Sequence, residues 1–319
     1  MIRKGALGSL LNVIGAEETN QLQAIAIKES RLGIPLIFGL DVIHGYRTIF
    51  PIPLACAASW DTALIRQAAH IAAREARASG IHWTFSPMVD IARDARWGRI
   101  AEGAGEDPFL GAAVAQAYVR GYQGSSLAND DAVLACAKHY VAYGAAEGGR
   151  DYNTVDISER TLRDIYLPPF KAAVEAGVGT LMSAFNEIGG VPASANALTL
   201  RQILRGEWGF TGFVVSDWES ILELMVHGIA ATNLEAGLLA LKAGVDMDME
   251  GECYSVELQN YINQGLLSED LINDAVRRIL RYKYKLGLFD KPYTDPELSK
   301  KVILHPEHIK VARQMAQES

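Results

Sequence analysis

The apolar run Gly212-Phe213-Val214-Val215 ends abruptly at Ser216-Asp217-Trp218, and polar groups follow apolar runs in the same way along the whole chain. Asp41 and His44 come after the second such run, Arg99 and Glu102 after the third, then Lys138 with His139, Asn186, and Asp246 with Asp248. In a parallel α/β protein the carboxyl ends of strands open onto the site, so an Asp held there is placed for chemistry. Gathered in one cavity, carboxylates that accept hydrogen bonds and Lys, Arg and His that donate them suit a polyhydroxylated, sugar-like ligand. Trp218 and Phe185 offer an apolar face for a sugar ring.

Plainer uses exist for each residue. An Asp such as Asp217 after an apolar run also serves as a turn or helix-cap residue, and Asp41 and Glu102 also suit structural ion pairs with Arg99 or Arg47. Lys138-His139 resists that reading, because burying an unpartnered Lys is costly. His70, His82 and His227 lie at no expected strand end and read as structural. Asp246 and Asp248 do not by themselves form a cation site and read as turn and cap residues. No metal and no cofactor is expected.

Holding these residues requires a regular frame. Strands are expected at 8–13, 36–42, 83–87, 135–140, 180–186, 213–218 and 245–249. Helices are expected at 19–30, 63–79, 110–122, 158–176, 200–208, 233–243 and 271–285. Ala63-Leu64-Ile65, Ala68-Ala69, Ile71-Ala72 and Ala76 show the spacing of a core-facing helix, and Thr232 with Glu235 forms a capping-box pattern. Alternating strands and helices with nearly continuous apolar strands imply a parallel sheet covered by helices. Seven units at this length point to a (β/α)8 TIM-like barrel that lacks one strand in this chain.

With 319 residues, of which 49% are hydrophobic, the chain can bury one large core. A net charge of −8 without a Lys/Arg block argues against a nucleic-acid partner. No run approaches the ~18–20 apolar residues that cross a bilayer, so no membrane association is expected. Cys56, Cys136 and Cys253, odd in number and far apart, suggest buried thiols and neither a disulfide framework nor a zinc site. The stretch after Arg3-Lys4 has the outline of a short secretory signal, but Gly8 and Asn12 interrupt it and a strand is expected there. Residues 1–290 are read as the barrel domain and 291–319 as a proline-bearing linker whose last helix leads into a following domain.

Five stretches together resemble glycoside hydrolase family 3: Gly39-Leu40-Asp41-Val42-Ile43-His44-Gly45, Arg96-Trp97-Gly98-Arg99-Ile100-Ala101-Glu102, Lys138-His139-Tyr140, Met182-Ser183-Ala184-Phe185-Asn186 and Val215-Ser216-Asp217-Trp218. Tyr143 to Asp156 is similar to the bacterial periplasmic β-glucosidase branch. The resemblance implies a retaining, exo-acting β-glycosidase, with Asp217 as the nucleophile that forms a covalent glycosyl-enzyme. It implies that Asp41, Arg99, Lys138 and His139 hold the terminal sugar and that Met182 and Trp218 line its pocket. Arg and Lys beside Asp217 are expected to keep it ionised. It further implies a periplasmic or secreted parent protein acting on a small β-glycoside or oligosaccharide.

The match departs in three places. Phe185 stands where related enzymes often have Tyr. The residues after His139 are unlike the loop that carries a catalytic His in the N-acetylhexosaminidase branch. No residue matches the general acid/base, which the resemblance places on a second α/β domain following the barrel; the chain is therefore expected to be part of a larger hydrolase. Two alternatives stay open: a sugar-binding or structural domain without turnover, and an aldolase using Lys138 as a Schiff base. Glucose, xylose and galactose are not distinguished, and the oligomeric state, a homo-oligomer included, is open.

Overall fold

Short runs rich in β-branched and aromatic residues form strands close to the expected places in the computed structural model, which describes residues 1–254 and 258–319. They are β1 (Ser9–Leu11), β2 (Ile37–Leu40), β3 (Trp83–Thr84), β4 (Cys136–Tyr140), β5 (Thr180–Ser183), β6 (Glu187–Ile188), β7 (Val191–Pro192) and β8 (Phe213–Ser216). β1, β2 and β3 pair in parallel in that order, and so do β4, β5 and β8. Parallel bridges from Trp83 to Leu134 and from Met88 to Lys138 join the two sets. The strand expected at 245–249 is reduced to one parallel bridge, Val215 to Met247. Met247 in turn lies beside β1, its sulfur 3.7 Å from the Ser9 hydroxyl.

β6 and β7 were not expected. They form an antiparallel hairpin around Gly189 and Gly190, whose φ values of 58° and 82° are open to glycine without a Cβ penalty.

The helices that cover the sheets are α1 (Ala16–Lys28), α2 (Pro53–Ala58), α3 (Thr62–Ala78), α4 (Pro108–Gln123), α5 (Glu159–Thr161), α6 (Pro168–Glu175), α7 (Asn233–Ala243), α8 (Leu258–Asn263), α9 (Glu269–Lys285), α10 (Pro296–Val302) and α11 (Pro306–Glu318). The helix expected at 158–176 is broken. Pro168 and Pro169 supply no backbone N–H, and the chain between α5 and α6 widens into a π turn, Leu162–Tyr166, with Leu167 N–H donating to the Leu162 carbonyl. At α7 the Thr232 hydroxyl accepts from Glu235 N–H as the capping pattern requires, while the Glu235 carboxylate accepts from Ala231 N–H.

One apolar cluster lies between the strands and includes Ile37, Trp83, Phe85, Cys136, Met182, Phe213 and Val215. A larger one lies between strands and helices. α3 and α4 cross so closely that a Cβ on Gly121 would stand 2.5 Å from the Arg66 carbonyl oxygen and 2.6 Å from the Ala69 methyl. All three cysteines are buried and free, as expected. Among the described residues no helix is long and apolar enough to cross a membrane.

The segment 291–319, expected as a linker, packs back on this core. Asn20 on α1 exchanges two hydrogen bonds with Thr294, and Val311 and Met315 of α11 join the larger cluster. Buried Glu75 on α3 accepts from Thr48 and from the N–H groups of Arg47, Thr48 and Leu304, with His308 Nδ1 at 2.9 Å. Burial alone would raise its pKa, but these donors outweigh burial and hold it below the ordinary glutamate range.

Two stability predictions follow from these contacts. Gly121→Ala gains about 1 kcal/mol of helix propensity, yet overpacking costs about 1–3 kcal/mol; denaturant titration should show net destabilisation, and equal or higher stability would contradict the close crossing. Glu75→Leu should cost about 3 kcal/mol, because several buried donors lose their acceptor. The stabilisation from Glu75 is present at neutral pH and fades as the pH falls through its depressed folded-state pKa. A variant as stable as the parent at pH 7 would contradict this role.

Candidate active site

The carboxyl ends of β2, β4 and β8 and the turn at Gly98–Glu102 bring the expected residues together. Lys138 Nζ donates to Asp41 Oδ1 at 2.7 Å; the Lys138 side chain is 6% exposed and that of Asp41 50%. His139 Nε2 stands 3.4 Å from Asp217 Oδ2. Successive residues of a regular strand point to opposite faces, but both Lys138 and His139 reach this site. Pairing between β4 and β5 shifts register between Ala137 and Tyr140, where the Lys138–His139 peptide is cis.

Asp217 follows β8, and its Oδ1 accepts from Trp218 N–H at 2.7 Å. Its Oδ2 is buried without a hydrogen-bond partner. Burial raises the Asp217 carboxyl to about 6, against the pull of Trp218 N–H, Lys138 and Arg99 and with the push of Asp41. The basic neighbours thus act in the expected direction, but desolvation exceeds them. At neutral pH the group is still mostly ionised.

Arg99 makes a bidentate pair with Glu102, at 2.7 and 2.9 Å, and lies over the Tyr143 ring with its guanidinium carbon 5.6 Å from the centroid. Burial opposes its charge, but Glu102 outweighs that and holds the guanidinium firmly protonated. Of the expected ion pairs for Glu102 and Asp41, the first is therefore made with Arg99, while Asp41 pairs with Lys138 and not with Arg99 or Arg47.

Met182 is 3% exposed and packs within the apolar cluster between the strands. Trp218 is 48% exposed. Phe185 is mostly buried and covered edge-on by Tyr152, with ring centroids 4.9 Å apart. Tyr152 carries the more accessible ring of the pair.

Two residues from the strand-end list serve elsewhere. Asp246 pairs with Arg205 and Arg278, each at 2.6 Å, and accepts from Val214 N–H, so it braces the frame. Asp248 accepts from Cys253 N–H, the turn duty expected of it. His82 is buried against the backbone of β2, with its Nδ1 3.3 Å from Phe38 N; Asn186 donates to the Val141 carbonyl.

Sequence reasoning missed Asp90. Its side chain is fully buried, and Oδ2 lies 2.9 Å from both the backbone N and Nδ1 of His139. Burial raises this carboxyl to about 7, although His139 N–H, Arg99 and Lys138 pull it down. The available signal was one acid within Met88-Val89-Asp90-Ile91-Ala92, an otherwise apolar run.

Chemically, the arrangement offers a desolvated carboxylate on one side and fixed donors and acceptors on the other. A cavity of about 450 Å³ lined by His70, Arg74, Asn129, Asp130, Asp131 and Lys291 lies elsewhere on the surface and holds none of these groups.

Residues 1–282 match the model of the glycosyl hydrolase family 3 N-terminal domain. The whole chain is 43% identical to a periplasmic β-glucosidase of Salmonella typhimurium, covering 42% of that protein, and 86% of it is 42% identical to a β-xylosidase of Formosa agariphila, covering 41% of that one. A β-glucosidase from Listeria innocua, crystallised with glucose, superposes with a TM-score of 0.95 at 47% identity, over 98% of this chain and 44% of that one. A mutant of the Listeria enzyme, crystallised with laminaribiose, superposes with a TM-score of 0.96 at 45% identity and the same coverage. The chain thus spans less than half the length of these relatives, and it belongs to glycosyl hydrolase family 3, whose N-terminal domain it matches.

Proposed function

We propose that Asp217 is the nucleophile of a retaining, exo-acting β-glycosidase of the β-glucosidase type, mounted on a barrel-like ring of parallel segments. The observation that carries this reading is the position of Asp217: a carboxylate only 13% exposed just beyond β8, facing His139 and flanked by the charges of Lys138 and Arg99. Its oxygen attacks the anomeric carbon as the bond to the leaving oxygen breaks, and water later releases the sugar. Asp41, Lys138, Arg99 and His139 hold the hydroxyls of the terminal sugar, which lies against Trp218, with Met182 beneath.

Retaining chemistry requires a second carboxyl about 5–5.5 Å from the first to protonate the leaving oxygen. We assign it to a second α/β domain of the full-length protein. The β-glucosidase relatives and the glucose and laminaribiose complexes support a small β-glycoside as substrate, and the Salmonella relative supports a periplasmic setting. The aldolase alternative has less support, because Lys138 is engaged as a donor to Asp41 and is not presented as a free amine.

In the full-length protein, Asp217→Asn should abolish hydrolysis of nitrophenyl β-glycosides, and undiminished turnover would remove Asp217 from the mechanism. The same variant should be more stable at pH 7 by about 1–2 kcal/mol. A carboxyl whose folded pKa exceeds its unfolded one costs stability as the pH rises past the unfolded value, and Asn removes that cost. Plotted against pH, kcat/KM should fall on the acid side through about 6 as Asp217 becomes protonated. Lys138→Met removes a cation that favours the ionised form and should move that limb to higher pH; an unmoved or lowered limb would assign it to another group.

A further inference from the structure

The two ring nitrogens of His139 each face a carboxylate oxygen, Nδ1 that of Asp90 at 2.9 Å and Nε2 that of Asp217 at 3.4 Å. A neutral imidazole has one N–H and one lone pair. Between two ionised carboxylates it would set that lone pair against a negatively charged oxygen, in a place where water cannot intervene. The three groups are therefore compatible with their geometry only when they share two protons, one in each contact.

We propose that Asp90 is a positioning residue that keeps a proton in its contact with Nδ1, so that His139 turns Nε2–H toward the Asp217 carboxylate. Asp90 Oδ1 is buried with no hydrogen-bond partner, which a neutral carboxyl tolerates far better than a carboxylate. The surrounding charges agree. Asp90 faces Arg99, Lys138 and Glu102 besides His139, and burial holds its carboxyl at about 7 in spite of the two cations. Burial, with Arg99 and Lys138, keeps the ring from taking a second proton of its own. The Tyr143 ring, edge-on at 5.1 Å, closes the remaining side of the imidazole. The proton on Asp90 thus fixes the ring tautomer and turns Nε2–H toward Asp217 Oδ2 across 3.4 Å, while Trp218 N–H holds Oδ1. The consequence for catalysis rests on the reading of Asp217 as nucleophile; the assignment of the protons does not.

The test is nitrogen NMR of 15N-histidine-labelled full-length protein between pH 5 and 8, with His139 assigned through His139→Gln, alongside steady-state kinetics. The expected result is a ring protonated at Nε2 and bare at Nδ1 below about pH 7, with that state lost at higher pH as Asp90 gives up its proton; a ring protonated at both nitrogens would overturn the proposal. Asp90→Ala should lose that fixed state and lower kcat by about 10- to 100-fold, with KM changed by no more than about twofold. Asp90→Asn should leave kcat low and the tautomer unfixed, since the single atom at the Oδ2 position must accept from His139 N–H and donate to Nδ1, which a protonated carboxyl oxygen does and neither end of an amide can. A bare Nε2 in the parent protein below about pH 7 would also overturn it. So would an Asp90→Ala protein, folded by its thermal transition, with unchanged His139 signals or unchanged kcat. If the NMR pattern is as expected but no variant, nor the parent, turns over a glycoside, the nucleophile reading fails and the proton assignment stands.

Discussion

Asp217 is held where water scarcely reaches it, and the surrounding chain substitutes fixed charges and dipoles for that water. Desolvation alone would neutralise the carboxyl. Lys138, Arg99 and the Trp218 N–H pull in the other direction, and the balance leaves the group near the point of titration at about 6. Each of those partners needs a partner of its own. Lys138 is held by half-exposed Asp41, Arg99 by Glu102, and His139 by buried Asp90. The site is consequently a network of paired charges, in which removing one member strands another in a medium of low polarity.

Such a network is only as precise as the backbone beneath it. β2, β4 and β8 deliver Asp41, Lys138 with His139, and Asp217 to the same end of the parallel sheets, and the strands are locked from behind by aromatic packing: Trp83 meets Phe85 and Phe213 edge-on, at 4.7 and 5.3 Å. Asp246, bonded to Arg205, Arg278 and the β8 backbone, braces β8 from the side. Glu75 ties α3 to the loop after β2 and to the tail, so the loop that follows Asp41 is anchored through Arg47 and Thr48. Buried polar groups remote from the site thus limit how far its carboxylates can drift.

Elements with strong apolar periodicity were legible from the residues alone. α3 falls within one residue of its expected bounds, and α7 lies where its capping residues put it. Strand ends were less legible. The 83–87 and 245–249 runs have the composition of strands, but cross-strand pairing decides which part is regular; only Trp83–Thr84 and the bridge at Met247 qualify. In 158–176 the apolar spacing is helical throughout, but Pro168 and Pro169 mark the break. Asp41, Lys138, His139 and Asp217 were recognisable because polar residues at the ends of apolar runs are conspicuous. Asp90 was not, since it lies within a buried irregular stretch that has no period to violate, and only the fold brings it to His139. Asp246, read as a turn or cap residue, instead pairs with two arginines that are distant in sequence, which no local pattern announces.

We propose that Asp217 makes a covalent bond to sugar in a pocket formed by this chain. The most direct measurement is peptide mapping after incubation with a 2-fluoro glycoside bearing a dinitrophenyl leaving group, which needs little acid assistance to depart. One glycosyl adduct is expected, on the peptide containing Ser216-Asp217-Trp218, and none in Asp217→Asn. An adduct on any other carboxylate, or the same adduct in Asp217→Asn, would contradict it.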